Sequence, residues 1–405
     1  MKVDILCTSD SKGGAAVVSH RLMQALCRQG IDAKMLVADK QRSDDKVGIA
    51  GTPEQYKWTF YTERAKIFLH NGFNRKDLFK VSTASDGVEL LSHPWIKDAD
   101  IVCLNWINQG FLSLREIKRL ADTGKKIVWT MHDMWCCTGI CHHSYGCENY
   151  TDCCGKCRFI RGGHRNDLSK KTWRAKKDLY NNTDIHFVAV STWLADCCKR
   201  SSLLRGKSVS VIPNALPVHS FRYERKTESK KKIIAMGAAR LDDPVKGFDL
   251  MIDAANLIAD NYPDDAKHLE LLLFGDIRES GVLANLRLPY KWLGAISPDK
   301  IGEVYQKSDI VISTSHFETL PTTLIEGLAS GCIPVSFNQG GQRDIIDHMV
   351  NGYIAQYPDT GDFAEGIIWA ANKVVDRESL HNDALCRFDE EQVVKKYIEL
   401  FNSLK

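Results

Sequence analysis

The sequence predicts an α/β protein of two successive domains, each built on a parallel sheet. Three observations predict it. Short apolar runs alternate with amphipathic stretches from end to end, the pattern of βαβ units. The 405 residues are too many for one ordinary core and suit two domains of about 200 residues each. The alternation breaks once, at Ile212-Pro213-Asn214-Ala215-Leu216-Pro217, and then restarts.

In the first domain the strand candidates are Val3–Thr8, Ala33–Val37, Ile101–Asn105, Lys126–Met131, His186–Val190 and Ser208–Ile212. A helix from Gly14 to Arg28 follows the first strand and is closed by Gly30. Another, from Leu112 to Ala121, is closed by Gly124, since glycine is favoured just past a helix end. Two prolines around Asn214 can continue neither a helix nor a central strand, so the linker is placed there. That gives a first domain over 1–213 and a second over 214–385. After the linker comes a polar, basic stretch, Arg222 to Lys232. Strands resume at Ile233–Gly237, Leu269–Phe274, Trp292–Gly294, Ile310–Thr314 and Ile333–Phe337. The helix after Gly247 carries Phe248, Met251, Ala254, Ala255 and Ile258 on one face, the 3.6-residue period. A C-terminal helix over 386–405 is expected to pack back on the first domain.

Composition narrows the function classes. Hydrophobic residues make up 44% and charged residues 26%, as in a soluble globular enzyme. A formal charge of +3, from 54 basic and 51 acidic residues, gives no argument for nucleic acid. The first strand begins at once and carries Asp4, so the N-terminus does not read as a signal peptide. No apolar run approaches the roughly 18 to 20 residues of a membrane span. The 14 cysteines then read as reduced thiols or a metal site rather than a disulfide framework, and the expected compartment is the cytoplasm.

The chemistry concentrates where strands end. In the run from Ile310 to Gly331 an apolar strand gives way to a polar loop, Pro321 suits the first turn of a helix, and Gly331 stops it. Glu318 thus lies at the carboxyl end of a strand, where ligands bind in open parallel sheets. Glu326 follows about two turns into the helix. The amides around Thr319 and Leu320, with the positive helix end, suit a phosphate. Taken alone, Glu318 reads as a helix-entry carboxylate and Glu326 as a solvated one. Arg240 ends the strand of Gly237-Ala238-Ala239-Arg240, and Lys246-Gly247 opens a helix. Two fixed cations can stabilise negative charge that grows on a bound ligand without a metal. Arg offers a bidentate fork and Lys a compact point charge. In the first domain, Gly13-Gly14 precede a helix and let backbone amides approach a ligand, although a plain strand-to-helix turn reads nearly as well. His132-Asp133 follows the strand Lys126–Met131 at its carboxyl end.

Glu318 and Glu326, separated by seven residues and followed by Ala329-Ser330-Gly331-Cys332-Ile333-Pro334-Val335, resemble the E-x7-E signature of retaining glycosyltransferase family 4. The Arg240 strand end, Lys246-Gly247, the Ser9–Ala15 loop with Gly13-Gly14, Ile212-Pro213-Asn214, Gly340-Gly341 and Asn351-Gly352-Tyr353 fall where that family places such residues. The Ala-Ala before Arg240 departs from the commoner Gly or Ser. The resemblance covers nearly the whole chain. It implies the GT-B fold, two Rossmann-like domains facing a cleft, the first for the acceptor and the second for a UDP- or GDP-sugar. It further implies that Glu326 takes the ribose hydroxyls and Glu318 faces the donor sugar. His132 would reach that sugar as an oxocarbenium stabiliser rather than a general base. The donor phosphate would take the acceptor proton in a front-face displacement, with no catalytic cofactor. The acceptor would be a glycan or lipid-linked saccharide in polysaccharide biosynthesis. Asp98-Ala99-Asp100 could pass for the metal-binding DxD of the other glycosyltransferase fold, but it precedes a strand and reads as a solvated loop.

Seven cysteines fall between Cys136 and Cys157, and Cys141, Cys147, Cys154 and Cys157 form C-x5-C-x6-C-x2-C. Four thiolates close in sequence can enclose a tetrahedral zinc ion and stabilise a loop with little core of its own. His142, His143 and Cys153 are substitute ligands, and reduced, partly buried thiols are the plainer reading. The segment from His132 through His142 resembles a Cys-rich loop in family 4 enzymes of exopolysaccharide synthesis. The 136–157 loop would then shape the acceptor cleft.

From Tyr56 to Lys80, the aromatics Trp58, Phe60, Tyr61, Phe68, Phe73 and Phe79 interleave with Lys57, Arg64, Lys66, Arg75, Lys76 and Lys80, and Lys170 to Lys177 adds a second basic stretch. Such segments suit either an amphipathic surface helix or peripheral contact with the inner membrane leaflet. Two other activities share parts of this pattern. A sugar-nucleotide epimerase would need a second acid/base pair at the sugar, which the sequence does not offer. A catalytically silent, zinc-stabilised binding protein would not need Arg240, Lys246, Glu318 and Glu326 together. A dehydrogenase is disfavoured because no G-x-G-x-x-G follows either domain's first strand.

Overall fold

The computed structural model describes residues 1–223, 231–279 and 281–404; the 224–230 part of the basic stretch lies outside them. The chain divides into two compact units, Met1–Ala215 with Val394–Lys405, and Leu216–Val393.

The first unit holds β1 (Lys2–Ser9), β2 (Asp32–Asp39), β3 (Val47–Ile49), β4 (Ile101–Leu104), β5 (Lys126–Met131), β6 (Ile185–Ala189) and β7 (Val209–Val211). They form one parallel sheet in the order β3-β2-β1-β4-β5-β6-β7. The strands are almost continuously apolar because helices cover both faces, and Val3, Ile5, Leu6, Val102, Leu104 and Val128 are fully buried. Strand order reverses between β1 and β4. Such a switch point leaves a crevice beyond the carboxyl ends of the two strands, where ligands sit in this class of sheet.

The second unit repeats the plan with β8 (Lys232–Arg240), β9 (Leu269–Asp276), β10 (Tyr290–Trp292), β11 (Ile310–Ser313), β12 (Ile333–Phe337) and β13 (Tyr353–Ala355). Its order is β10-β9-β8-β11-β12-β13, again parallel, with the reversal between β8 and β11. Pairing of β8 with β9 slips between Gly237 and Arg240, so Ala238-Ala239 occupies an irregularity that re-aims the residue after it.

Two expectations are corrected. Residues 386–405 are not one helix. One helix ends at Phe388, Asp389 interrupts the helical run, and a second helix runs Glu390–Ser403. The change of unit falls after Ala215 rather than at 213. The basic stretch Lys170–Lys177 is an amphipathic surface helix, as its plainer reading has it, with Lys171, Arg174 and Lys177 exposed. It lies in the helix Leu168–Asn181, which buries Trp173 and turns Lys176 wholly inward, where Nζ donates to the carbonyls of Trp135 (2.6 Å) and Thr138 (3.0 Å).

Candidate active site

In the second unit two loops beyond the switch point are stitched together. The Thr314 hydroxyl, just past β11, donates to the carbonyl of Lys246 (3.1 Å), and the amide of His316 donates to the carbonyl of Val245 (2.8 Å). Gly247 makes the approach possible. It has a φ of +61°, and a Cβ there would stand 2.1 Å from the Thr314 carbonyl oxygen. The stitching brings Lys246 Nζ to 2.7 Å from Glu318 Oε1. The Lys246 side chain keeps 34% of its surface exposed, so the pair is formed yet reachable by a ligand. The Glu318 charge beside it holds the Lys246 ammonium above its ordinary pKa, which fixes it as a cation.

Glu318 is held from behind. Its carbonyl accepts from the amide of Gly341 (3.1 Å), and Gly340, at φ +154°, packs so closely that a Cβ would meet that carbonyl oxygen at 1.8 Å. The expected Gly340-Gly341 pair is thus the backstop of the Glu318 loop. His316 Nδ1 lies 2.8 Å from the hydroxyl of Tyr357, tying the same loop to the residues after β13.

Arg240 ends β8 as expected, and its Nε stands 3.0 Å from Asp242 Oδ1, with Asp243 at 3.8 Å. Asp242 also accepts from the amides of Arg278 (2.9 Å) and Glu279 (3.0 Å) after β9. Both expected cations therefore carry carboxylate partners that hold them in place. Glu326 lies in the helix Thr322–Ala329, whose N-cap is Pro321. It is buried, not solvated, and its charge acts on the buried phenol of Tyr305. Thr319 and Leu320 are buried in the loop before that helix.

In the first unit, Gly13 caps the helix Gly14–Arg28 with a φ of +89°, and the space above both Gly13 and Gly14 is open. Before it, buried Asp10 accepts from the amides of Gln41 (3.0 Å) and Arg42 (2.9 Å), fixing the loop that flanks the glycines. His132 follows β5, and its Nε2 lies 2.8 Å from Asn105 Oδ1 at the end of β4. Burial pushes the imidazole down to about 4, so it is neutral at physiological pH. The next residue repeats the cross-strand tie. Asp133 accepts from Trp106 Nε1 (3.0 Å), from His142 Nδ1 (2.7 Å) and from the Trp135 amide (2.7 Å). It is held down to about 2, with burial opposing and the His142 charge and hydrogen bonds prevailing. Asn105, Asp133 and His142 were not assigned these roles from sequence. The available signal was a polar residue at the carboxyl end of an apolar strand.

The four cysteines of the expected zinc set gather in one region. Cys141 and Cys157 pack into the apolar cluster of Ile67, Val81, Ile140, Phe159 and Leu168, and Cys154 Sγ accepts the Gly139 amide at 3.1 Å. Burial first, then one another's proximity, pushes Cys141 and Cys157 up to about 12 and Cys154 up to about 11. Among the described residues, however, no group of three or more His, Cys, Asp or Glu side chains is arranged to hold a metal ion. The donor set is right for zinc and the geometry is not closed. Asp98-Ala99-Asp100 stays outside the site: Asp98 pairs with Lys2 (2.5 Å), at the amino end of β4.

Comparison with known proteins bears on both units. The profile described as Glycosyltransferase Family 4 matches residues 12–219, just over half of the chain, and the one described as Glycosyl transferases group 1 matches 220–384. The phosphatidylinositol N-acetylglucosaminyltransferase gpi3 subunit of Schizosaccharomyces pombe is 27% identical over 194 residues, covering 45% of this chain and 41% of that protein. The 2-deoxystreptamine N-acetyl-D-glucosaminyltransferase of Niallia circulans is 27% identical over 194 residues, 44% of this chain and 47% of its own length. The matched stretches thus span less than half of these relatives. Among solved structures, Anabaena Alr3699/HepE in complex with UDP and glucose superposes with a TM-score of 0.61 over 100% of both chains at 16% identity. Sucrose-phosphate synthase from Thermosynechococcus elongatus superposes with a TM-score of 0.66 over 100% of this chain and 99% of that one at 15% identity. At such identities the likeness shows the fold, two parallel-sheet Rossmann-like domains.

Proposed function

The chain belongs to glycosyltransferase family 4, and we propose that it moves a sugar, with retention of anomeric configuration, from a nucleoside diphosphate donor to a glycan or lipid-linked saccharide in polysaccharide biosynthesis. The observation that carries the reading is the Lys246–Glu318 pair at the β8/β11 switch point, with Arg240 at the end of the adjoining strand. The cations serve the departing diphosphate, whose charge grows as the glycosidic bond breaks. Glu318, close to the Lys246 ammonium, faces the sugar, and Glu326 takes the ribose hydroxyls. Gly13, Gly14 and His132 serve the sugar and acceptor from the first unit. His132, being neutral, offers a hydrogen bond and a dipole rather than a proton. UDP is the first base to test, because the Anabaena neighbour is described in complex with UDP and glucose. Thermal unfolding with UDP, GDP and ADP should show one nucleotide raising Tm, and Glu326→Ala should remove most of that rise. No rise with any nucleotide would overturn the donor reading.

For the cysteine loop we propose a structural zinc on Cys141, Cys147, Cys154 and Cys157, supported by the clustering of the thiols and by their chemistry. Zinc would hold the loop and take no part in the transfer. Elemental analysis of protein purified without chelators should find one zinc per chain; a metal-free, fully folded chain overturns this reading. We also propose that the enzyme works at the inner face of the membrane, as a lipid-linked acceptor would require. No helix among the described residues is long and apolar enough to cross a bilayer, so such contact would be peripheral.

A further inference from the structure

The helix Pro53–His70 begins with a capping box at Thr52 and Gln55 and a proline in its first turn, so its start is fixed locally. Its inner face is fully engaged. Glu63 is buried, and its Oε1 accepts from the Ser82 hydroxyl (2.7 Å) and the amides of Thr83 (2.7 Å) and Ala84 (2.8 Å), while Arg64 donates to its Oε2 (3.0 Å). Ile67 is fully buried beside it, and the Thr59 hydroxyl donates to the carbonyl of Gly110 (2.7 Å). A surface helix anchored in this way should be polar on its other side.

It is not. At 3.6 residues per turn, Trp58, Tyr61, Ala65 and Leu69 fall on one outward stripe about 80° wide. Trp58 is 75% exposed, Tyr61 67% and Leu69 63%. Just past the helix, Phe73 takes a φ of +64°, rare for a bulky residue, and its side chain is 57% exposed; Phe79 is 54% exposed. Among the described residues six aromatic side chains are exposed, and four of them lie in this segment. Ring contacts run from Tyr61 to Phe60 (5.3 Å) and from Phe60 to Phe79 (6.5 Å), and Phe68 meets Phe73 at 5.2 Å.

The charges around the stripe are mainly cationic. Lys57, Arg75 and Lys76 are exposed and Lys66 is half-buried, whereas the acids of the segment outside the core are Glu54 and Asp77, and Asp77 is paired with Lys80 (2.9 Å). A docking surface for another protein would be depleted of lysine. Lysine and arginine bordering tryptophan, tyrosine and phenylalanine are what an anionic bilayer surface recruits, with phosphates meeting the cations and rings entering the headgroup boundary.

We propose that Trp58, Tyr61, Leu69, Phe73 and Phe79, bordered by Lys57, Lys66, Arg75 and Lys76, form a surface that inserts shallowly into an anionic lipid leaflet. The proposal deepens the peripheral-membrane part of the functional reading and rests on it. The test is flotation of the full chain with vesicles of phosphatidylcholine alone and of phosphatidylcholine with a quarter phosphatidylglycerol. The native chain floats with the anionic vesicles and not with the neutral ones. A Trp58→Ser/Leu69→Ser/Phe73→Ser variant, all at exposed positions and with unchanged thermal unfolding, loses at least about tenfold in partition. Each of Lys57→Gln, Lys66→Gln and Lys76→Gln loses about fivefold. Equal partition of native and triple-variant chains overturns the proposal. So does a concentration-dependent dimer that the triple variant abolishes, because the stripe would then face a second copy. Flotation requires no turnover, and nucleotide-induced stabilisation reports the donor reading separately.

Discussion

The carboxyl ends of the two sheets differ in how they treat charge. In the second unit, Lys246 and Glu318 meet at 2.7 Å with the lysine still a third exposed, and Arg240 is steadied by Asp242. In the first, His132 is held neutral by burial and tied to an amide, Asn105. The second unit's sheet end presents fixed cations, and the first an imidazole with its charge removed, beside the ionised Asp133. On the proposed reading, a leaving diphosphate needs the former. A sugar ring passing through a cationic state is better served by the latter, because an imidazolium would repel it. The same supersecondary plan thus yields two electrostatic environments through a handful of loop residues.

The sharpest test of that contrast removes the cation. Lys246→Met should lower kcat/KM for the donor about a thousandfold, roughly 4 kcal/mol, with Lys246→Arg recovering part of it, as read by donor turnover. A small loss would mean the second unit's charge is structural. Acidification tests the other side. The unfolded chain protonates His132 near 6.5 and the folded chain only near 4, so between these values the unfolded state binds the extra proton. Stability from this group is fully present above 6.5 and falls by about 3 kcal/mol as pH drops to 4. Urea unfolding of His132→Gln across that window should show a flatter dependence. Asp133, held near 2, adds a further loss only below about 3.8. Gly340→Ala should cost about 2 kcal/mol, because its Cβ would drive into the Glu318 carbonyl, and should reduce turnover with it. Asn105→Ala should cost the least, about 1 kcal/mol in unfolding, and should loosen His132 without affecting nucleotide-induced Tm shifts.

The contrast was partly legible in the sequence. β5 and β12 match the expected bounds residue for residue, because uninterrupted apolar runs ended by polar residues leave little ambiguity. β3 and β13 were missed, since three-residue edge strands such as Val47–Ile49 carry no period to read. The sequence placed Lys246 at the opening of a helix and Glu318 at a strand end, but their direct pairing depends on a Gly247 backbone approach that only tertiary structure reveals. The neutrality of His132 was equally hidden, because burial is a property of the surroundings rather than of the residue. Lys176 shows the limit most plainly: within a run of basic residues nothing marks it as the one turned wholly inward.

The last helix has a consequence for how the molecule is made. Tyr397 and Phe401 are buried within the first unit, and the Tyr397 hydroxyl meets the Thr130 hydroxyl at 3.0 Å across 267 residues of chain. During synthesis the second unit can close on itself while the first still waits for this helix. The final tie is among the most non-local contacts in the protein, and its loop-closure cost falls on the step that completes the first core. A nascent chain released before Tyr397 would carry a finished second unit joined to a first unit with an open seam.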